Sequence, residues 1–179
     1  MLEAAGVEFD VASPQIDEAA LKAGTLLTDD LAAELAQAKA LSVSVRQTGD
    51  WVIGSDSVIE VQGRLFDKPA DRSQAAEHLQ FFSSKTIQLT SAVALARDGA
   101  VLWSHQETAA LQVRELSEEF IAGYLDREWP AVSYCVGVFR LEGPGVQLFE
   151  RIEGDHFTIL GMPLLPLLGA LRERGLLPS

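Results

Sequence analysis

The chain has 179 residues, 47% of them hydrophobic, enough to bury one core or one core with a small lobe. Its 26 acidic and 14 basic residues give a formal net charge of −12, which argues against holding duplex nucleic acid or an anionic membrane by charge alone. Cys135 is the one cysteine, so an internal disulfide and a cysteine zinc site are excluded, and a reducing cytosol is the expected setting.

No signal-peptide pattern and no apolar run of membrane length is read, and His78, His105 and His156 are scattered without metal-ligand spacing. Met1 to Gly6 resembles the last turn of a helix with Gly6 as its C-cap, so a segment upstream of Met1 is expected. Val7 to Val11 reads as a strand broken by Ser13-Pro14. Ile16-Asp17-Glu18 follows as a loop, its two carboxylates either solvated or supporting a metal or phosphate site. Thr28 is placed as an N-cap with Asp29 and Asp30 in the first turn of a helix running to about Val43. Leu31, Leu35, Ala38 and Leu41 form its apolar stripe, and Lys39 beside them either snorkels to the surface or points into a cleft.

Val52 and Ile53 run as a buried strand into Gly54-Ser55-Asp56, and Val58, Ile59 and Val61 resume the run to a tight turn at Gln62-Gly63. Asp71 caps a helix carrying Ala75, Ala76, Leu79 and Phe82, with Gln74 at the capping-box position. Thr86 to Ala96 and Ala100 to Val113 are strands joined at Asp98-Gly99. Ser117 caps a helix with Phe120, Ile121 and Tyr124 on its inner face. Two strands, Ser133 to Leu141 and Val146 to Ile152, are expected around Gly143-Pro144-Gly145. A leucine-rich helix begins at Gly161-Met162-Pro163, has Pro166 in its first turn and ends at Gly175. Helices and strands alternate without repeats, which predicts a single α/β domain with a mixed, twisted β-sheet flanked by helices.

The stretch from Trp51 to Pro69 carries the chemistry. A carboxylate, Asp56, at a strand end and an ammonium, Lys68, one hairpin later can face one cleft. That pair suits a metal-bound anionic substrate, with the acid binding metal or activating water and the cation answering phosphate. The competing reading makes Asp56 a turn residue and Lys68 a solvated surface charge.

In order and spacing the chain resembles the Maf family of nucleoside triphosphate pyrophosphatases over nearly its whole length. The matching pieces are Ile16-Asp17-Glu18, Leu35-Ala36-Gln37-Ala38-Lys39-Ala40, Gly54-Ser55-Asp56-Ser57, Lys68-Pro69, Glu153-Gly154-Asp155 and Gly161-Met162-Pro163-Leu164. The resemblance implies a sheet flanked by helices in two lobes with a central cleft. It implies hydrolysis of a nucleoside triphosphate, modified or non-standard ones included, to monophosphate and pyrophosphate with Mg2+ or Mn2+. Asp56 would be the proton acceptor and, with Glu18, a metal ligand; Lys39 and Lys68 would contact phosphates; Ser57 and Glu142 would sit where base preference is set. Glu142 stands where glutamine is expected in members preferring dTTP or UTP. An ionised carboxylate only accepts hydrogen bonds, so it suits a base edge offering N–H donors, such as guanine; otherwise it is a solvated turn residue. A nucleotide substrate, a cytoplasmic setting and a homodimer are compatible with the family, with no nucleic-acid or membrane partner. One departure is that a Ser-x-Ser-x-Arg-Arg segment belonging to the pattern is absent, the chain looking as if started late at Met1. That departure keeps a second reading open, a non-catalytic nucleotide-binding or division-regulating protein. A third is a house-cleaning pyrophosphatase of a related fold.

Overall fold

Two turns organise the strands. In the computed structural model, which describes residues 1–24 and 30–178, the strand β1 (Val52–Val61) turns into β2 (Arg64–Phe66) through Gln62 and Gly63 at φ 55° and 77°. Strand β3 (Thr86–Arg97) turns into β4 (Ala100–Val113) through Asp98 and Gly99 at φ 50° and 78°. Two-residue loops with both φ positive match the twist of paired strands, and Asp-Gly is built for them. Helix α3 (Arg72–Phe82) separates the hairpins. With β5 (Phe149–Glu153) the strands form one sheet in the order β2-β1-β3-β4-β5, β1–β2 and β4–β5 pairing antiparallel. Helices accompany the sheet, and the α/β class expected from the sequence is the class observed.

The chain divides into two compact units. The first comprises 1–57, 91–107 and 155–179; the second comprises 58–90 and 108–154. In the first, α1 (Glu18–Gly24), α2 (Leu31–Ser44), α5 (His156–Ile159) and α6 (Leu164–Glu173) accompany the strand segments. Val7, Val93, Leu95, Leu167, Ala170 and Leu171 form a core cluster there, with Trp51, Ile53 and Trp103 packed against it. In the second, α3 packs on α4 (Glu118–Glu128). Phe66 meets Phe82 edge-on at 4.8 Å and His78 at 5.1 Å, and burial lowers the His78 pKa, so that ring serves the core as a neutral aromatic.

Capping follows the sequence closely. Asp71 accepts from the Gln74 amide at 2.8 Å and the Gln74 side chain accepts from the Ala70 amide at 2.7 Å. Ser117 accepts from the Phe120 amide at 3.1 Å, and Gly175, at φ 69°, ends α6. The Thr28 and Asp29 assignments lie outside the described residues.

Several expectations are corrected. Val7–Val11 is not a strand: Val7 reaches the core and donates its amide back to the Leu2 carbonyl at 3.1 Å, whereas Phe9 and Val11 are exposed and the segment joins no strand among the described residues. An apolar, β-branched run becomes a strand only beside a neighbour that covers it. Glu18 is not in a loop but opens α1, because Asp17 caps the helix by accepting from the Ala20 amide at 3.0 Å. The buried face of α2 is rotated from the expected stripe, towards Ala32, Ala36, Ala40 and Val43 beside Leu31 and Leu35, with Ala38 and Leu41 only half buried. Asp56 lies within β1 rather than at its end, so it is no turn residue. Finally, 133–141 is irregular. A 3-10 turn covers Ala131–Tyr134, Val138 sits at φ 57°, which no strand accommodates, and another 3-10 turn, Pro144–Leu148, precedes β5.

Candidate active site

Strand alternation sorts the central residues onto two faces. Gly54 and Asp56 look one way, Ser55 and Ser57 the other. On the first face Gly54 meets helix α2 at backbone contact: a Cβ there would lie 2.6 Å from the Ala40 amide nitrogen and closer still to the Ala36 carbonyl oxygen. Glycine on the strand and alanines on the helix therefore let the two backbones close up. Lys39, next to Ala40, then reaches the strand. Its Nζ lies 2.7 Å from Asp56 Oδ1 and 2.9 Å from Glu18 Oε1. The Lys39 and Asp56 side chains are 18% and 17% exposed, so the pair is mostly withdrawn from water, while Glu18, at 41%, stands at its edge. Burial pulls the Lys39 pKa down, but the hydrogen bonds and charges of Asp56 and Glu18 outweigh it and hold the ammonium above the ordinary lysine value. The lysine points inward; the snorkelling alternative is not what the chain adopts.

On the opposite face the hydroxyls are committed to the protein. Ser55 Oγ lies 2.9 Å from the Ala92 carbonyl and 2.8 Å from that of Gly161, able to donate to either. Ser91 Oγ donates to the Thr158 carbonyl at 2.7 Å, so its 2.7 Å bond with Ser57 Oγ is one in which Ser57 donates. Thr158 in turn donates through Oγ1 to Glu107 Oε2 at 2.7 Å, and Asp155 caps α5 by accepting from the Phe157 and Thr158 amides. The serines thus fasten β1 to the turn at Gly161 and fix which way Asp56 faces.

Lys68 and Glu142 belong to the second unit. Lys68 is exposed just after β2, before buried Pro69, and Glu142 is exposed in the turn before Pro144. Both lie within electrostatic reach of Cys135, whose thiol is pushed up by burial, lowered by Arg140, raised by Glu142, lowered by Lys68 and raised by Glu128. Two features escaped the sequence reading. One is Gly54 as a packing residue, hidden by its resemblance to turn chemistry. The other is an ion pair of Arg140 with buried Glu128. A carboxylate in the last turn of a helix opposes the helix dipole and needs a cation, and that was its signal.

Among the described residues no group of three or more His, Cys, Asp or Glu side chains could hold a metal by itself. Glu18 and Asp56 nevertheless converge on one positive charge, the Lys39 ammonium.

The family model described as Maf-like protein matches residues 1–174. The chain belongs to the Maf-like family. It is 49% identical over 180 residues to a protein of Rhizobium etli named 7-methyl-GTP pyrophosphatase, covering 98% of this chain and 90% of that one. It is 47% identical to the protein of the same name from Brucella suis biovar 1, with 97% and 89% covered. A Nitrobacter hamburgensis protein named nucleoside triphosphate pyrophosphatase is 47% identical, with 99% and 89% covered. The motif residues fall at the start of α1, on α2, on β1, just after β2, at the end of β5 and at the entry to α6. Among the described residues no helix is long and apolar enough to cross a membrane.

Proposed function

We infer that this chain is a nucleoside triphosphate pyrophosphatase, cleaving the α–β phosphoanhydride to release a monophosphate and pyrophosphate. The observation that carries the reading is the Lys39 ammonium held between Asp56 and Glu18, in a family whose relatives bear that activity in their names. A triphosphate competes with the two carboxylates for Lys39. As the ammonium turns to phosphate oxygens, Asp56 is released to accept the proton of a water attacking the α-phosphorus, while the β-phosphate oxygen leaves with pyrophosphate. Glu18 and Asp56 are the residues that would hold a Mg2+ or Mn2+ ion. The ion supplies charge neutralisation on the phosphates. Lys68 adds a second cation for them.

The relatives' names and Glu142 together favour a 7-methylguanosine triphosphate. Methylation at N7 gives the guanine ring a formal positive charge, and its Watson–Crick edge offers N–H donors; an ionised glutamate answers both. Cys135, a free cysteine, fits a reducing, cytoplasmic setting.

The test uses the purified chain, Mg2+ and a panel of triphosphates, following pyrophosphate and monophosphate together. Asp56→Asn should lower kcat by about 10² to 10⁴ while leaving the melting temperature close to the parent's. Release of orthophosphate instead of pyrophosphate, or turnover of Asp56→Asn within a few-fold of the parent, would reject the assignment.

A further inference from the structure

The segment from Cys135 to Leu148 holds Glu142, and its shape is set by side chains that lie outside it. Tyr124, completely buried on α4, donates its hydroxyl to the Val138 carbonyl at 2.9 Å. Burial pushes that phenol's pKa far up, so it is a permanent donor. One turn further along α4, Glu128 is 5% exposed, and Arg140 donates to its Oε2 from both Nε, at 3.2 Å, and Nη2, at 2.9 Å. Between these two anchors Val138 is held at φ 57°, a costly conformation for a β-branched residue, and one that persists only where its surroundings enforce it.

The chain then folds tightly back over the arginine. Gly143 donates its amide to the Arg140 carbonyl at 3.2 Å, and a Cβ on Gly143 would stand 3.7 Å from Glu128 Oε2 and 3.8 Å from Arg140 Nη2. A Cβ on Gly145 would approach the Arg140 amide nitrogen to 2.8 Å. At the far end Arg114 fixes the segment by donating its Nε to the Gln147 carbonyl at 2.8 Å and its amide to the Leu148 carbonyl at 2.9 Å. Glu142 is therefore the exposed residue between Arg140, clamped from below, and Gly143, seated on the clamp.

We propose that Glu128, acting through Arg140, is a positioning residue for Glu142 and so sets base selectivity without touching the nucleotide. This rests on the function inferred above and on Glu142 as the base-reading carboxylate. A buried carboxylate that loses its partner, or an arginine that loses its anchor, releases the backbone on both sides of Glu142. The consequence falls on recognition of the base, since Asp56 and Lys39 belong to a different part of the chain.

The experiment compares kcat/KM for 7-methyl-GTP with that for UTP in the full chain and in Glu128→Gln, Arg140→Met, Arg140→Lys and Glu142→Gln, each checked for folding by circular dichroism. Glu128→Gln and Arg140→Met should each lower the 7-methyl-GTP preference at least about tenfold, chiefly through KM, and Arg140→Lys should recover part of it. In the Glu142→Gln background the Glu128→Gln change should no longer affect the preference, since the two act on one contact. If Arg140→Met fails to fold, the milder Glu128→Gln and Arg140→Lys carry the comparison. A preference kept within about twofold while the melting temperature falls would make the pair purely structural and overturn the proposal. So would a Glu128→Gln effect of equal size with Gln at position 142. A parent inactive on every triphosphate would overturn the function reading and this proposal together. An active parent whose preference ignores Glu142→Gln would overturn the Glu142 role and, with it, the proposal alone.

Discussion

An ammonium 2.7 Å from one carboxylate and 2.9 Å from another stays there only while all three groups are charged. Because Lys39 is held above the ordinary lysine value, the folded chain binds its proton more tightly than the unfolded chain does. The contribution to stability is complete below about pH 10.4, the unfolded value, and is lost as pH rises through the folded one. Lys39→Met should therefore melt below the parent by a margin that is constant from neutral pH to about pH 10 and narrows above it. A margin that widens with pH would contradict the sign. The margin itself should be small, about 1 kcal/mol, because Glu18 is 41% exposed and water screens its share. On the proposed role of that ammonium as the phosphate-facing cation, activity should suffer far more than stability.

Elements meet through their backbones where Gly54 faces Ala36 and Ala40. Gly54→Ala gains strand propensity worth roughly 0.5–1 kcal/mol. Against that, the new methyl presses on a helix carbonyl and amide that cannot move singly, an overpacking cost of typically 1–3 kcal/mol. The cost should win: urea unfolding should show lower stability, and kcat should fall because α2 carries Lys39 away from Asp56. Unchanged kcat at lowered stability would mean that the spacing of α2 from β1 is not what tunes the site. The β1–β2 turn offers the opposite sign. Gln62 sits at φ 55°, where asparagine is better tolerated, so Gln62→Asn should stabilise by a few tenths to about 1 kcal/mol, read as a higher urea midpoint at constant slope.

For the molecule as a whole, a net charge of −12 opposes a polyanionic triphosphate. The lysines answer this only locally, so the nucleotide should enter as its metal complex. Chelation with EDTA should abolish turnover, and Mg2+ or Mn2+ should restore it; Glu18→Gln should raise the Mg2+ concentration needed, which titration calorimetry with the metal can read separately. Full activity in chelator would reject the metal role. The local features of the fold were legible in the chain itself. Asp98-Gly99, the caps Asp71 and Ser117 and the end at Gly175 are decided by residues within a turn of one another, so the signal is complete in sequence. The motif order likewise named the family, and with it Asp56, Lys39 and Glu18 as candidates. The tertiary structure alone decided that Lys39 turns inward, that Asp56 sits inside a strand, that Gly54 is a contact rather than a turn, and that 133–141 is a clamped loop. Each of these depends on a partner distant in sequence: Asp56 for Lys39, α2 for Gly54, Tyr124 and Glu128 for the loop. Propensity and periodicity describe what a segment prefers beside an average neighbour, and only packing states which neighbour it has.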